Sequence, residues 1–209
     1  MRIVSAIVEL FFTNDGCIVA DIVFPALDVL RLSVRHQKVN EHFCSSKDGA
    51  QFLRHMLKFL ANTQPPANQM LALRTLANVF NCAAGEQLMK THKDDVLPTI
   101  VDVAGGAFNK NIQIACTTLM LNYAVAYHGS PDVETKCQLL SGSGEISARV
   151  TDSEAHFRLL VGIGTILDKD HNCTEIAKSM EMQLYVTKCA AIFDPKKVSE
   201  CADALGKKL

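Results

Sequence analysis

The sequence predicts an all-α fold built from many short helices. Apolar residues recur at helical spacing along almost the whole chain, and turn signals interrupt this pattern at intervals of roughly 10–20 residues. Leu, Ala and Met are plentiful, whereas aromatic residues are few, with 10 Phe, 3 Tyr and no Trp. This composition favours helix over strand. We therefore expect roughly ten or more short helices that stack as helical hairpins.

Each predicted helix ends at a short run of turn-forming residues. Two helices are expected to begin with a capping residue and a proline, at Ser130-Pro131 and Asp194-Pro195. Asp152 or Thr151 is expected to cap the helix between them, and the nearest candidate for a strand is the short "SARVTD". The predicted turns are, in order, "TQPPAN" (63–68), "AGG" (104–106), "HGSPD" (128–132), "SGSG" (141–144), "DKDHN" (168–172) and "FDPKK" (193–197).

Three arginines recur in similar apolar surroundings, in "DVLRLS", "LALRTL" and "AHFRLL". Arg74 follows Arg31 by 43 residues, and Arg158 follows Arg74 by 84, which is two steps of 42. One such step after Arg74 reaches Cys116, in "QIACTT". A repeat of roughly 40–47 residues is typical of armadillo and HEAT proteins, so we predict a right-handed superhelical solenoid in which corresponding residues share one face. The alternative is that each arginine pairs locally with a carboxylate.

The charge balance bears on the partners that the chain can bind. With 21 basic and 22 acidic residues, the formal net charge is −1, which argues against a nucleic-acid-binding protein because such proteins carry a strong basic excess. No apolar run approaches the roughly 18 residues that span a bilayer. The opening "MRIVSAIVELFF" contains Glu9 and is followed by no cleavage site, so we interpret it as a terminal helix. We expect neither nucleic-acid binding nor membrane insertion.

The sequence carries no recognisable catalytic or metal-binding motif, since the serine-hydrolase, zinc-protease and phosphate-loop signatures are missing. The seven histidines are scattered, and none of the eight cysteines forms a Cys-x-x-Cys pair. Several cysteines lie in apolar helical stretches, so we predict free, buried thiols in an intracellular protein. We expect no catalytic residue, metal or cofactor. The alternative is a cysteine-dependent hydrolase or transferase on a helical scaffold, in which a His that is distant in the chain activates one Cys.

Several ordered segments between Phe24 and Leu209 resemble the PUL domain of the phospholipase A2-activating protein family. The resemblance implies a single PUL domain over residues 1–209, with residues 1–23 recognised least. The WD-repeat and PFU domains of full-length family members are not found in this sequence, and ubiquitin would be bound only through such other domains. The segments that carry the resemblance are "FPALDVLRLSVRH", "VNEHFC", "GAQF", "ANQMLALRTLANVF", "NKNIQIACTTLMLNYAV", "EAHFRLLVGIGTIL" and "KVSECADALGKKL".

The resemblance also implies an armadillo-like adaptor domain without catalytic activity. Domains of this family receive the acidic C-terminal tail of the AAA ATPase called valosin-containing protein (Cdc48 in yeast) in a basic groove. The implied role is in ubiquitin-dependent protein degradation and ubiquitin homeostasis, in the cytoplasm and the nucleus.

Arg31 and Arg158 stand at the positions that match the tail-binding motifs of this family, and Arg74 joins them through the 42-residue register. Arginine is suited to this task because its planar guanidinium binds carboxylates bidentately and stays charged. The segment around Cys116 supplies Lys110 instead of a fourth arginine. Side-chain amides offer both a donor and an acceptor to an extended peptide backbone. The amides predicted to do so are Asn111, Asn122 and Asn78.

Overall fold

The computed structural model describes residues 20–106 and 109–209. Within these residues the chain forms twelve α-helices and no strand, which confirms the predicted all-α fold and is compatible with a solenoid of short helices. No helix in this part of the chain combines the length and the apolar character that crossing a membrane requires. The terminal helix predicted for the opening segment lies outside the described residues, as does Cys17.

The helices fall into two compact units, residues 1–96 and 97–209. The first unit contains α1 (Ala20–Ser33), α2 (Gln37–Phe43), α3 (Gly49–Lys58), α4 (Pro66–Val79) and α5 (Ala83–Thr91). The boundary between the units lies within α6 (Lys93–Gly106). The second unit continues with α7 (Lys110–Ala126), α8 (Val133–Ser147), α9 (Ser153–Leu167), α10 (His171–Ser179), α11 (Met182–Ala190) and α12 (Lys196–Gly206).

Five of the six predicted turn segments fall at helix ends, but the turn predicted for "SGSG" is wrong. Residues 141–144 lie inside α8 instead. Gly142 is buried there, and a Cβ on it would lie only 3.1 Å from Cγ2 of Val101. The glycine therefore allows close packing of α8 rather than a change of chain direction.

Side-chain caps mark four helix starts in the second unit, those of α7, α8, α9 and α10. Asp152 caps α9, as predicted, by accepting a hydrogen bond from a backbone N–H of the first turn at 3.1 Å. The prediction that Ser130 caps α8 is wrong, because the cap is Asp132, whose carboxylate accepts both the N–H and the hydroxyl of a first-turn threonine. The prediction for Asp194 is wrong as well, since α12 starts after Pro195 without a side-chain cap.

The core of the first unit forms where α1 packs against α4. Leu27 and Leu30 of α1 are fully buried, as are Leu73 and Leu76 of α4. Each pair is three residues apart, so both leucines of a pair lie on the same face of their helix. Burying one leucine side chain stabilises a fold by roughly 1.5–3 kcal/mol, and this seam therefore contributes much of the stability of the first unit.

A buried amide joins three helix ends in the first unit. Asn40 of α2 is 0% exposed, and its Nδ2 donates to the carbonyl oxygens of Val34 and Val79 at 3.1 and 2.9 Å. Gly85 of α5 approaches the same Val79 carbonyl so closely that a Cβ would lie 2.0 Å from its oxygen. The carbonyls that α1 and α4 leave unpaired at their ends are thus satisfied inside the protein, and only glycine fits at residue 85.

In the second unit, α9 packs against α7, α8, α10 and α12. Its start is fixed by Gln113 of α7, which is 2% exposed. The Oε1 atom of Gln113 accepts the backbone N–H groups of Thr151 and Asp152 at 3.0 and 3.1 Å. Because these two residues lead directly into α9, the amide sets the position of α9 along α7.

A buried ion pair joins α8 to the start of α10. Lys136 is 3% exposed, and its Nζ donates to Oδ2 of Asp170 at 2.7 Å. The other carboxylate oxygen of Asp170 accepts the N–H of Cys173 at 3.0 Å and thereby caps α10. The Cys173 N–H and the Lys136 ammonium lower the pKa of Asp170 from its ordinary 3.8 to about 2.

We predict that Asp170→Asn lowers the free energy of unfolding at neutral pH by about 1.5–3 kcal/mol, the worth of a hydrogen bond to a charged group. Asparagine still caps a helix, but it leaves the buried Lys136 ammonium without a counter-charge. Because the folded-state pKa of Asp170 is lowered, its contribution is complete above about pH 4 and is lost as the pH falls towards about 2.

Urea unfolding at a series of pH values measures this contribution. The matched control is Asp203→Asn, which removes an exposed carboxylate from α12. The prediction would be contradicted if Asp170→Asn lowered the free energy of unfolding by the same amount at neutral and at acid pH.

Gly85→Ala is predicted to lower the free energy of unfolding by about 1–3 kcal/mol through overpacking, even though alanine is the better helix former. The new Cβ would meet a backbone oxygen, which cannot rotate away. Gly144→Ala in α8 is the control, because the nearest atom to its Cβ would be 3.9 Å away, and it should stabilise by about 0.5–1 kcal/mol. Thermal unfolding followed by circular dichroism compares the stabilities of the two variants. If both substitutions stabilised the protein, the close contact between residue 85 and the Val79 carbonyl would be contradicted.

Candidate peptide-binding surface

Arg31 lies in the last turn of α1, with its side chain 25% exposed. Its Nε and Nη2 atoms both donate to Oδ1 of Asp28, at 2.9 and 2.6 Å. This is the local pairing that the alternative interpretation of the arginines predicts. Asp28 is itself 42% exposed, and ion pairs of this kind one helical turn apart contribute only about 0.3–0.5 kcal/mol. A ligand carboxylate can therefore compete with Asp28 for the guanidinium.

Arg74 and Asn78 lie one turn apart on the same face of α4. The Nδ2 atom of Asn78 donates to the backbone carbonyl of Arg31 at 2.8 Å, which places this face of α4 beside the end of α1. The side-chain NH2 group of Asn78 is therefore used by the protein's own backbone, and this hydrogen bond is not available to a peptide. Arg74 is half-buried, and among the described residues no carboxylate pairs with its guanidinium. The first unit brings Arg31 and Arg74 to neighbouring helices.

Arg158 and Glu154 together connect α9 to two other helices of the second unit. Its Nε donates to Oε1 of Glu154 on the same helix, α9, at 3.0 Å, and its Nη1 donates to the hydroxyl of Thr118 on α7 at 2.5 Å. The second oxygen of Glu154 accepts a hydrogen bond from Lys197 of α12. The Lys197 ammonium also lies 4.5 Å from the centre of the Phe157 ring, a distance typical of a cation–π contact. We call Arg158, Glu154, Thr118 and Lys197 the Arg158 cluster.

The Arg158 cluster contains two cations and one carboxylate, so its net charge is positive. Hydrogen bonds from Lys197 and Arg158 lower the pKa of Glu154 below its ordinary value, against the smaller opposing effect of burial. The side chains are 31% exposed for Arg158, 32% for Glu154 and 44% for Lys197. The charges are thus held in place by contacts between helices and still face water on one side.

The amides and the lysine predicted on α7 lie along the helix that carries Thr118. Asn122 follows Thr118 by one turn, and Asn111 precedes it by two turns, so all three lie on one face. Lys110 is exposed at the first position of α7, roughly 12 Å along the helix axis from Thr118. The structure brings Asn122 close to the Arg158 cluster, and it leaves Lys110 and Asn111 at the far end of α7.

The repeat register is displaced at α7. Cys116, which stands where the register predicts a fourth equivalent of the arginines, is 0% exposed and belongs to the core. The α7 residue that meets Arg158 is Thr118, two residues later. At α7 the 42-residue spacing therefore points to a core residue and not to the surface residue that contacts Arg158.

An apolar cavity of about 430 Å³ lies between α7, α9 and α12 and begins about one turn along α9 from Arg158, although no residue of the Arg158 cluster lines it. Val161 and Thr165 line it from the face of α9 that carries Arg158, and Val125 of α7, which is 58% exposed, lines it from the other side. At its rim Asp168 accepts a hydrogen bond from Lys208 at 3.0 Å. The cluster and the cavity together form a surface with a charged end and an apolar end.

Sequence reasoning missed Thr118, Lys197 and this cavity. Thr118 is 40 residues from Arg158 in the chain, and Lys197 is 43 residues from Glu154. Lys197 lies where a predicted turn leads into a predicted helix, with nothing in the sequence to single it out for binding, and the threonine gives no signal of its own. The helical periodicity of α7, α9 and α12 could have placed these residues on exposed faces, but it could not have paired them.

The cysteines bear on the enzymatic alternative. The seven cysteines of the described chain form no disulfide with one another, and burial raises the pKa values of Cys44 and Cys116 to about 12. Within residues 20–106 and 109–209, a cysteine and a histidine meet where Sγ of Cys189 lies 3.8 Å from Nδ1 of His156. Burial raises the pKa of this thiol and lowers that of the imidazole, which is the opposite of what a thiolate–imidazolium nucleophile needs.

We predict that none of the cysteines whose thiol pKa is raised by burial reacts unusually fast with a thiol reagent at neutral pH; these are Cys44, Cys116, Cys173, Cys189 and Cys201. Buried thiols with raised pKa values hold little thiolate, which is the reactive form. Counting the modified cysteines by mass spectrometry, before and after denaturation, tests this prediction. Slow native labelling and complete labelling after unfolding are expected. A single cysteine that is modified within the mixing time of the native protein would instead favour the cysteine-dependent enzyme.

Comparison with known proteins gives a consistent assignment. The sequence profile of the PUL domain matches residues 19–204. The chain is 43% identical over 185 residues to the Xenopus laevis protein named phospholipase A-2-activating protein, with 88% of this chain and 23% of the relative covered. It is 23% identical over 167 residues to the Caenorhabditis elegans protein named ubiquitin fusion degradation protein 3 homolog, with 74% and 19% covered. The chain spans about a fifth of the length of these relatives.

Proposed function

The chain belongs to the PUL domain family, and we propose that it is a non-catalytic adaptor domain that binds the acidic C-terminal tail of the AAA ATPase valosin-containing protein. The proposed role lies in ubiquitin-dependent protein degradation and ubiquitin homeostasis. The match to the PUL domain profile over residues 19–204 and the relative named ubiquitin fusion degradation protein 3 homolog support this role.

The observation that carries the proposal is the position of Arg158. Its guanidinium is held against α7 by the hydrogen bond to the Thr118 hydroxyl and is still about one-third exposed. A guanidinium that is already oriented loses little conformational freedom when it binds a carboxylate, and its planar fork matches two carboxylate oxygens. Lys197 adds a second cation within reach of the same anion. This combination favours an acidic ligand.

The surroundings of Arg158 favour an extended peptide over a small anion. Asn122 lies on the α7 face that continues from Thr118, and an amide there can pair with a peptide backbone. The apolar cavity next to the cluster can receive an apolar side chain of the same peptide. We also propose Arg31 and Arg74, on neighbouring helices of the first unit, as cations that can bind acidic residues.

The proposal includes a cellular setting. We place the domain in the cytoplasm and the nucleus, and we assign ubiquitin binding to other parts of the longer relatives and not to this domain. Expression of the tagged full-length protein, followed by fractionation, tests the location.

The raised pKa values of the thiols lend no support to the alternative of a cysteine-dependent hydrolase or transferase.

Replacement of the arginines tests the proposal. Arg158→Ala is predicted to weaken binding of the ATPase C-terminal peptide about 10- to 150-fold, because it removes a charge-assisted hydrogen bond worth roughly 1.5–3 kcal/mol. Arg31→Ala should act in the same direction, and Arg74→Ala should have a smaller effect. Isothermal titration of the purified domain with the peptide measures the affinities.

Thermal unfolding of the same variants separates binding from stability. Arg74→Ala should leave the melting temperature unchanged, and Arg31→Ala and Arg158→Ala should lower it only slightly, because their ion pairs are partly exposed. Lys178→Ala, which breaks an exposed pair with Glu175 on α10, is the control for loss of one positive charge. If the peptide binds and none of the three arginine variants weakens it more than this control, the assignment of the surface is wrong.

A further inference from the structure

The carboxylate of Glu154 lies between two cations that come from different helices. One oxygen accepts a hydrogen bond from Arg158 of α9 at 3.0 Å, and the other accepts one from Lys197 of α12. We infer that Arg158, Lys197 and Thr118 form a carboxylate-binding site in which Glu154 is the resident occupant, and that a carboxylate of the ligand replaces Glu154 when it binds. The inference rests on the proposed function for the identity of the ligand, and it adds Lys197 to the binding residues.

The cations are held in place by contacts other than those with Glu154. The Nη1 atom of Arg158 donates to the Thr118 hydroxyl at 2.5 Å, and the Lys197 ammonium lies 4.5 Å from the centre of the Phe157 ring. These contacts do not involve the carboxylate, so both cations keep a defined position when it leaves. The space that it vacates then offers two donors from two directions to another carboxylate.

Replacement of the Glu154 carboxylate by a ligand carboxylate costs little free energy, because the site faces water. The Glu154 side chain is 32% exposed, so its carboxylate can be hydrated when it swings out. Exposed ion pairs contribute only about 0.2–1 kcal/mol each, and the incoming carboxylate restores the same pairs. Glu154 also occupies the first turn of α9, where the helix dipole favours a negative charge whether or not the side chain contacts the cations.

Occupation by Glu154 reduces the apparent affinity for an acidic ligand. For a ligand that needs the vacant form of the site, the apparent affinity is the intrinsic affinity multiplied by the fraction of molecules in which the site is vacant. Removing the charge of Glu154 should therefore tighten binding, although the substitution deletes two ion pairs from the free protein. If Glu154 instead served to orient Arg158 for the ligand, the same substitution would weaken binding. The two roles differ in sign.

The experiment titrates the full chain with the C-terminal peptide of valosin-containing protein and compares Glu154→Gln with the wild type. We expect the affinity to rise about two- to thirty-fold, the change that corresponds to the loss of two competing exposed ion pairs. Glu200→Gln on α12 is the matched control, because it removes the same charge from a side chain that pairs with Lys196 and not with the Arg158 cluster. It should change the affinity much less.

The role of Lys197 is tested in the Glu154→Gln background, where the competition is absent. There Lys197→Ala should weaken binding about two- to five-fold, and Lys197→Arg should restore it. Circular dichroism and urea unfolding show whether each variant is folded. If Glu154→Gln does not fold, Glu154→Asp replaces it, since the shorter side chain reaches the two cations less well and should also tighten binding.

An unchanged or lower affinity of Glu154→Gln would overturn the inference, and so would an equal gain in Glu200→Gln. These outcomes leave the proposed function intact as long as the wild type binds the peptide and Arg158→Ala weakens it. If the wild type does not bind the peptide, the proposed function fails. The same variants titrated with a short poly-aspartate peptide then decide separately whether the site exchanges carboxylates.

Discussion

The side-chain amide of Gln113 fixes the point at which α9 begins, and much of the second unit packs on α9. One buried oxygen accepts two successive backbone N–H groups just before the helix starts, so α9 cannot slide along α7 without losing both hydrogen bonds. Arg158 and Glu154 lie within the first two turns of α9, and their distances to α7 and α12 follow from that start. The geometry of the Arg158 cluster is therefore set by a polar group in the core and not by the charged residues themselves.

Short helices make such groups necessary. Each helix end leaves backbone N–H or C=O groups without partners in the helix, and a chain that breaks into many short helices has many of these ends inside the protein. Asn40 serves the carbonyls at the ends of α1 and α4, as Gln113 serves the N–H groups before α9. Asn78 adds a bridge from α4 to the Arg31 carbonyl. Amides suit this role because they both donate and accept without adding charge.

The local sequence pattern was sufficient to predict the helical fold, since the spacing of apolar residues and the turn signals both act over a few residues. The same pattern gave a wrong prediction at Gly142, which resembles part of a turn. Gly142 instead allows α8 to pack closely against Val101, a residue distant in the chain. The arginine register links α1, α4 and α9, whereas at α7 it points to the buried Cys116. Lys197 and Thr118 could not be assigned from the sequence, because their roles depend on which helices meet.

The ion pair between Lys136 and Asp170 has a consequence for the covalent chemistry of the chain. Acylation, including the attachment of ubiquitin, needs an accessible amine with a free lone pair. Lys136 is 3% exposed, and its amine donates a hydrogen bond to the carboxylate of Asp170. In the folded protein this amine is therefore inaccessible to modifying enzymes and amine reagents. Exposed lysines such as Lys196 offer no such resistance. Modification of Lys136 would therefore require α8 and α10 to separate first. An isopeptide bond formed at Lys136 would then prevent the two helices from packing together again.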